Sequence, residues 1–285
     1  MKRDDVQRIA REAFQQLVES VEAGTSETLV NYLKAMGSFH RYSLGNAILI
    51  RLQKPDATHV AGFRTWQRLG RRVRKGEYGI GIMAPIVYRR KAAADADRDE
   101  DDQETVRTFK TAHVFDVSQT DGKPLPECAR VQGNPEQFLD RLKDYVAAKG
   151  IKLEHSEHLT TAEGVSTGGT ILLKQSLAPA EEFSVLCHEL AHEICHRQTD
   201  TRPDAKKVRE TEAEAVAFVV CQGVGLDVNT ASSDYIQLYN GDRKTLMESL
   251  ERIQRTASEI LVAITADRHA GREFEVGAAV AAQAA

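Results

Sequence analysis

The sequence contains no run of about 18 consecutive apolar residues, which predicts that no helix crosses a membrane. The charged residues at its start have no apolar stretch behind them, unlike a secretory signal. The chain has only 4 cysteines, without CxxC spacing. They predict reduced thiols in the cytoplasm and argue against a cysteine zinc cluster. With 41% apolar and 28% charged residues, the 285 residues are typical of a globular protein with one or two domains.

Positive charge is concentrated in the first third of the chain. Residues 1–91 hold 17 lysines and arginines against 8 aspartates and glutamates, although the whole chain carries a net charge of −4. The remainder is therefore acidic. This asymmetry predicts a basic half with a polyanionic partner and an acidic half without one.

Apolar periodicity and turn residues predict an alternation of helices and short strands. Seven of the ten residues from Asp95 to Glu104 are acidic, which predicts an exposed loop between strands. We expect a linker over 124–134 and a frayed alanine-rich tail. The predicted helices cover 4–36 with a break at 24–26, 135–149, 179–196, 208–222 and 243–268, and the predicted strands cover 80–83, 109–117, 151–155 and 170–173.

The most informative motif is His188-Glu189-Leu190-Ala191-His192 on the predicted helix 179–196. A four-residue spacing places both imidazoles on one helix face, where they can bind one metal ion. Glu189 is positioned to act as a general base. The motif predicts a zinc-dependent peptidase site. The non-functional alternative is a solvent-exposed helix that carries these residues by chance.

A catalytic zinc ion needs a third protein ligand. The metzincin pattern would place a histidine at position 198, which is glutamine. Glu210 and Glu214 share one face of the next helix, and we assign Glu210 as the ligand and Glu214 as the residue that orients a ligand imidazole. The reverse assignment stays open, as does an ordinary exposed helix face. Glu212 is expected to be a solvated charge.

A second HExxH, from His192 to His196, overlaps the first. We prefer the first register because a site at the helix end would have less support. His196 then either lines the pocket as a proton donor or oxyanion partner or is a surface residue. The strand Thr170–Leu173 is a candidate edge along which a substrate could add as a strand.

A basic segment follows Phe63. Its candidate nucleic-acid contacts are Arg64, Trp66, Arg68, Arg71, Arg72, Arg74 and Lys75. Cations that track phosphates beside rings that stack on bases are what single-stranded nucleic acid binding requires. The alternative is a solvated cationic surface with Phe63 and Trp66 in the core.

Two family resemblances extend this interpretation. Residues 62–70, 73–77 and 79–80, together with 42–46, 114–117 and 119–122, resemble the N-terminal domain of ArdC-type antirestriction proteins. This resemblance spans about residues 5–125 and implies a single-stranded-DNA-binding domain of plasmids and other mobile elements. The pairing of His188–His192 with Glu210–Glu214 is similar to ImmA/IrrE-type metallopeptidases. In that pattern the first glutamate of the second helix is the ligand, which supports Glu210.

Together these observations predict an α+β chain. A mixed α/β domain that binds single-stranded DNA (1–125, with an acidic loop at 92–105) precedes a mainly helical zincin-like metallopeptidase domain with a small β-sheet (126–275) and a disordered tail (276–285). The predicted function is hydrolysis of protein or peptide substrates by a Zn²⁺ enzyme at or near single-stranded DNA, in antirestriction or stress regulation, without a membrane partner. The alternative is a non-proteolytic DNA-binding antirestriction protein with a structural zinc site.

Overall fold

The computed structural model describes residues 3–23, 27–89, 105–123, 135–159, 162–197, 203, 205–226 and 243–266. The expected acidic loop around 95–104, the linker at 124–134 and the tail at 276–285 lie outside these residues. Among the described helices, none is both long enough and apolar enough to span a membrane.

The first half combines helices with a small antiparallel sheet. Strand β4 lies between β1 and β3, and β2 pairs with β5 in a separate ribbon. The elements are α1 (Arg3–Glu22), α2 (Glu27–Ser38), α3 (Leu44–Gln53), β1 (Val60–Gly62), α4 (Phe63–Arg68), β2 (Arg71–Val73), β3 (Ile80–Arg89), β4 (Thr105–Asp116) and β5 (Thr120–Gly122). The two helices expected within 4–36 are confirmed, whereas the break expected at 24–26 lies outside the described residues.

Two amide side chains of α3 bind the free backbone edge of β3. Asn46 accepts from the N–H of Met83 and donates to its carbonyl, and Gln53 does the same with Gly81, all at 2.9 Å. An unpaired strand edge would otherwise present exposed donors and acceptors to other chains. These contacts fix α3 against the sheet.

The buried carboxylate of Asp116 fixes the end of β4. It accepts the backbone N–H groups of Thr58, His59 and Ser118 at 2.7–3.0 Å. Burial raises the pKa of Asp116, but these hydrogen bonds outweigh it and leave the pKa below its usual value. The residue thereby ties the segment before β1 to the end of β4.

The second half places helices around a three-stranded sheet. Strand β8 lies in the middle, parallel to β6 and antiparallel to β7. The elements are α5 (Pro135–Ala148), β6 (Lys152–Ser156), β7 (Gly164–Ser166), β8 (Thr170–Lys174), α6 (Pro179–Cys195), α7 (Lys206–Gly223) and α8 (Arg243–Thr265). The four predicted helices of this half are confirmed, whereas β7 is a strand that the sequence did not predict.

The main hydrophobic core crosses the midpoint of the chain. Leu17, Leu29, Leu33 and Met36 of α1 and α2 are fully buried in the same cluster as residues of α5 to α8. A smaller cluster packs α3 against β3 and β4. The α+β class is confirmed, and the first two helices belong to the core that also supports α6 and α7.

Candidate functional site

Helix α6 carries the predicted histidines into the protein on a firmly packed helix. Pro179 occupies its first turn, and the Glu181 carboxylate accepts the N–H of Ala178 at 3.2 Å. Phe183, Leu186 and Leu190 are fully buried on its core side. This anchoring leaves the other face of the helix, with His188 and His192, directed toward α7.

Helix α7 brings Glu210 to these two histidines. The Nε2 atoms of His188 and His192 are 3.2 Å apart, and Glu210 Oε2 lies 3.6 Å and 3.4 Å from them. Ligands bound at 2.0–2.1 Å to a tetrahedral zinc ion are separated by about 3.3 Å. The spacing and the chemistry of the three donors therefore fit a zinc ion, and this is the one such cluster among the described residues.

The protonation of the histidines suits a metal centre. Burial lowers the pKa of His188 and of His192, although Glu210 acts in the opposite direction on both. Both imidazoles are therefore neutral at neutral pH, which is the form that binds a metal.

Glu189 lies beside the donor cluster in a confined position. Its side chain is 8% exposed and lies close to the backbone of Gly164, where an added Cβ would be 2.8 Å from Glu189 Cγ. Burial, followed by the charge of Glu210, raises the pKa of Glu189 to about 7, although the N–H of Ser166 acts against it. A carboxylate with such a pKa can accept and release a proton near neutrality.

An open cavity of about 330 Å³ adjoins the cluster. Glu214 lines it together with His188 and Glu189, and apolar surface comes from Val185, Ala217 and Phe218. The donor cluster contains Glu210 and not Glu214. The orienting role of Glu214 stays a prediction.

The expectation for Glu212 was wrong. Its side chain is fully buried and bonded to His196, Ser249 and Arg252. It is shielded because α7 packs against both α6 and α8, and α8 supplies the compensating cation. His196 is also buried, at 6% exposure, and does not line the cavity. His196 is therefore neither a pocket residue nor a surface residue, which were the two expectations.

Glu193, the glutamate of the second HExxH, has a structural role. Glu193 accepts the Ser166 hydroxyl at 2.5 Å and the N–H groups of Gly168 and Gly169 at 2.8 Å. These bonds hold the turn between β7 and β8 on helix α6. Because its oxygens are engaged there, the geometry favours the first register.

The expected edge strand was also wrong. Thr170–Leu173 belongs to β8, which has β6 on one side and β7 on the other. Strand β7 is the edge that runs beside α6, and it brings Gly164 against Glu189. Strand β7 has only three residues, which is too short for the alternation of apolar and polar residues that identifies a strand in the sequence.

The basic segment splits into exposed and engaged side chains. Arg71 donates to Thr120 and to the Lys123 carbonyl, and Arg74 pairs with Glu77. The Trp66 ring is 2% exposed, and its N–H donates to Phe115 O at 2.9 Å, so this ring is unavailable for stacking on a base in this structure. Arg74 is exposed as well as paired. The other exposed candidates are Arg64, Arg68, Arg72 and Lys75, with the rings of Phe63 and Tyr78 nearby in sequence.

Comparison with known proteins matches the two halves to different families. Residues 7–115 match the N-terminal domain of anti-restriction factor ArdC, and residues 140–221 match the IrrE N-terminal-like domain of the M78 peptidases. The chain is therefore ArdC-like in its first half, with an M78-type domain in its second.

Similar chains come from bacteria and a plasmid. An uncharacterised protein of Bacillus anthracis is 25% identical over 82% of this chain, which spans about half (47%) of that relative's length. One from Sinorhizobium fredii is 23% identical over 68% of each chain. The ArdC antirestriction protein of plasmid R388 shares the fold at 20% identity. Its metal-free structure has a TM-score of 0.51, and the match covers 90% of this chain and 97% of that one. Its Mn(II)-bound structure has a TM-score of 0.50, and the match covers 92% of this chain and 99% of that one.

Proposed function

We propose that this protein is a zinc metallopeptidase that hydrolyses peptide bonds in proteins at or near single-stranded DNA, in the antirestriction or stress responses of mobile elements. The observation that carries the proposal is the convergence of the two Nε2 atoms and Glu210 Oε2 beside the buried Glu189. The M78 match over 140–221 supports a peptidase, and the ArdC match over 7–115 supports DNA as the partner.

In this proposal His188, His192 and Glu210 hold the metal. A zinc ion bound by them would lower the pKa of a water molecule and polarise a peptide carbonyl. Glu189 takes the proton of the attacking water and delivers it to the leaving nitrogen, which a pKa of about 7 permits. The cavity lined by Val185 and Phe218 receives a side chain of the substrate.

The decisive variant is Glu189→Gln, which keeps the shape of the side chain and removes its basicity. We expect zinc content and DNA affinity to stay unchanged, and cleavage of a mixed peptide library to fall by at least about 100-fold, the lower range for losing general-base catalysis. The matched control is Glu193→Gln, one turn later on α6. It tests the second register, and we expect it to retain cleavage.

Loss of cleavage in Glu193→Gln alone would overturn the first register.

A second candidate function, DNA binding without proteolysis, is favoured by the exposed cations around α4. If Glu189→Gln protects a plasmid from restriction as well as the wild type does, antirestriction does not depend on hydrolysis. Equal cleavage by wild type and Glu189→Gln would contradict the peptidase proposal itself.

A further inference from the structure

A row of buried side chains leads from the donor cluster to helix α8. His192 Nδ1 lies 3.0 Å from His196 Nδ1, and His196 Nε2 lies 2.9 Å from Glu212 Oε2. At its far end, Glu212 accepts the Ser249 hydroxyl at 2.6 Å and two N–H groups of Arg252 at 3.0 Å. Glu212 and Ser249 are fully buried, so these partners replace water.

The direction of each hydrogen bond follows from the far end. Arg252 donates one N–H to each oxygen of Glu212, and this pairing with a guanidinium, which is always charged, keeps Glu212 an ionised carboxylate that only accepts. The hydrogen between Glu212 and His196 must therefore sit on His196 Nε2. In its neutral form His196 carries one hydrogen, so its Nδ1 is then an acceptor. His192 must then donate from its own Nδ1.

This sequence of donors and acceptors leaves His192 with its lone pair on Nε2. That atom is the one 3.2 Å from His188 Nε2 and 3.4 Å from Glu210 Oε2. The opposite tautomer would put a hydrogen into the donor cluster and would also leave two Nδ1 lone pairs facing each other at 3.0 Å. The arrangement around Glu212 thus selects one tautomer of His192.

We propose that Glu212 and His196 are positioning residues, which fix the tautomer and ring orientation of His192 so that its Nε2 is ready to bind a metal. The inference rests on the proposed metal centre. Neither residue touches the metal or the substrate. Partners that orient a ligand imidazole are generally a carboxylate, a carbonyl or water; here a second histidine is interposed between the ligand and the carboxylate.

The direct test is the tautomer of each histidine in the metal-free, full-length protein, read from ¹⁵N–¹H multiple-bond NMR spectra. We expect hydrogen on Nδ1 of His192 and on Nε2 of His196. Hydrogen on Nε2 of His192 in the wild type would overturn the proposal. This readout does not depend on activity or on metal.

Variants separate positioning from a purely structural role. In His196→Phe the acceptor is removed, and we expect both tautomers of His192 together with a 10- to 100-fold loss of zinc affinity in chelator competition. His196→Asn restores an acceptor oxygen and should recover part of that affinity. Glu212→Gln should also mix the tautomers. Should it fail to fold, the two His196 variants still decide the question.

A matched control exists on the same helix. His155 Nε2 and Glu182 Oε1 form another imidazole–carboxylate pair at 2.9 Å, and it does not lead to the donor cluster. We expect Glu182→Gln to leave the His192 tautomer and zinc affinity unchanged. Unchanged zinc affinity and unchanged His192 tautomer in His196→Phe would refute the positioning role while leaving the metal centre intact. Absence of zinc binding by the wild type would refute the centre, whereas the NMR result would still judge the tautomer.

Discussion

Two glutamates on neighbouring helices show how surroundings set the chemistry of a residue. Burial raises the pKa of Glu212, but hydrogen bonds from His196, Arg252 and Ser249 bring it below its usual value. Glu189 is also buried, but its nearest charges are other carboxylates, and its pKa rises to about 7. Glu212 therefore remains a fixed negative charge, whereas Glu189 can exchange a proton.

His40 supplies a prediction about pH. Burial, followed by the charge of Arg41, lowers the pKa of His40 to about 4, although its contact with Gly37 O acts against this. In the unfolded chain the pKa is about 6.5, so the unfolded state binds more protons between these values. We expect the free energy of unfolding to fall by about 3 kcal/mol as the pH drops from 6.5 to 4.

The measurement is urea denaturation at pH 7 and pH 4.5 for the wild type and His40→Gln. The variant lacks the titrating group, so its loss of stability on acidification should be smaller. An equal loss in both proteins would mean that other groups account for the acid sensitivity.

At the scale of elements, the pairing of the two histidines was predictable because it needs only helix periodicity, whereas Glu210 lies on the next helix and was supported by the family resemblance. Spacings of four residues place His188 near His192 whatever the rest of the fold does. The role of Glu212 was not predictable, since its cation, Arg252, lies 40 positions away on another helix. The same holds for Glu193, whose partners form a turn after the three-residue strand β7. Sequence periodicity carries no information on such distant partners.

The basic segment formed by α4 and β2 yields a prediction about salt. Arg64, Arg68, Arg72 and Lys75 are exposed and can reach phosphates. Replacing all four with alanine in the full chain should weaken single-stranded DNA binding. It should also flatten the slope of log affinity against log salt by about 0.7 for each phosphate that the variant no longer neutralises.

Two exposed arginines on α1 provide the control. Arg8→Ala and Arg11→Ala remove cations outside the segment, so the salt slope should change little. An unchanged slope in the fourfold variant would place the DNA contacts elsewhere, and a wild-type affinity that is insensitive to salt would contradict DNA binding through phosphates.

The whole molecule is tied together where α2 crosses α7. Gly37 leaves no room for a side chain: an added Cβ would be 2.8 Å from the carbonyl oxygen of Val219. Gly223 of α7 packs against Leu261, whose methyl groups would lie 2.7 Å from an added Cβ. The predicted boundary at 125 remains a prediction, but α2 packs into the core of the second half. The proposed DNA-binding and metal-binding sites are thus expected to share one folding equilibrium.

The variant Gly37→Ala tests this crossing. The added methyl group meets backbone that cannot move aside alone, so we expect a loss of about 1–3 kcal/mol. The control Gly45→Ala lies in α3 with no atom within 4 Å of the new Cβ, and should stabilise the protein by up to about 1 kcal/mol.

Thermal unfolding followed by two probes provides the measurement. Trp66, the only tryptophan, reports on the first half, and far-UV circular dichroism reports on all helices. We expect the two transitions to coincide and to shift together in Gly37→Ala. Separate transitions would mean that the halves unfold independently.

The close approach at Gly37 has an evolutionary consequence. Halves that are joined only by a linker can be exchanged freely by recombination between genes. In this protein, a first half from another chain would fit only if its second helix had glycine at the crossing with α7 and leucines that pack into the core of the second half. Diversification of this lineage is therefore expected to proceed by substitution within matched halves rather than by shuffling them.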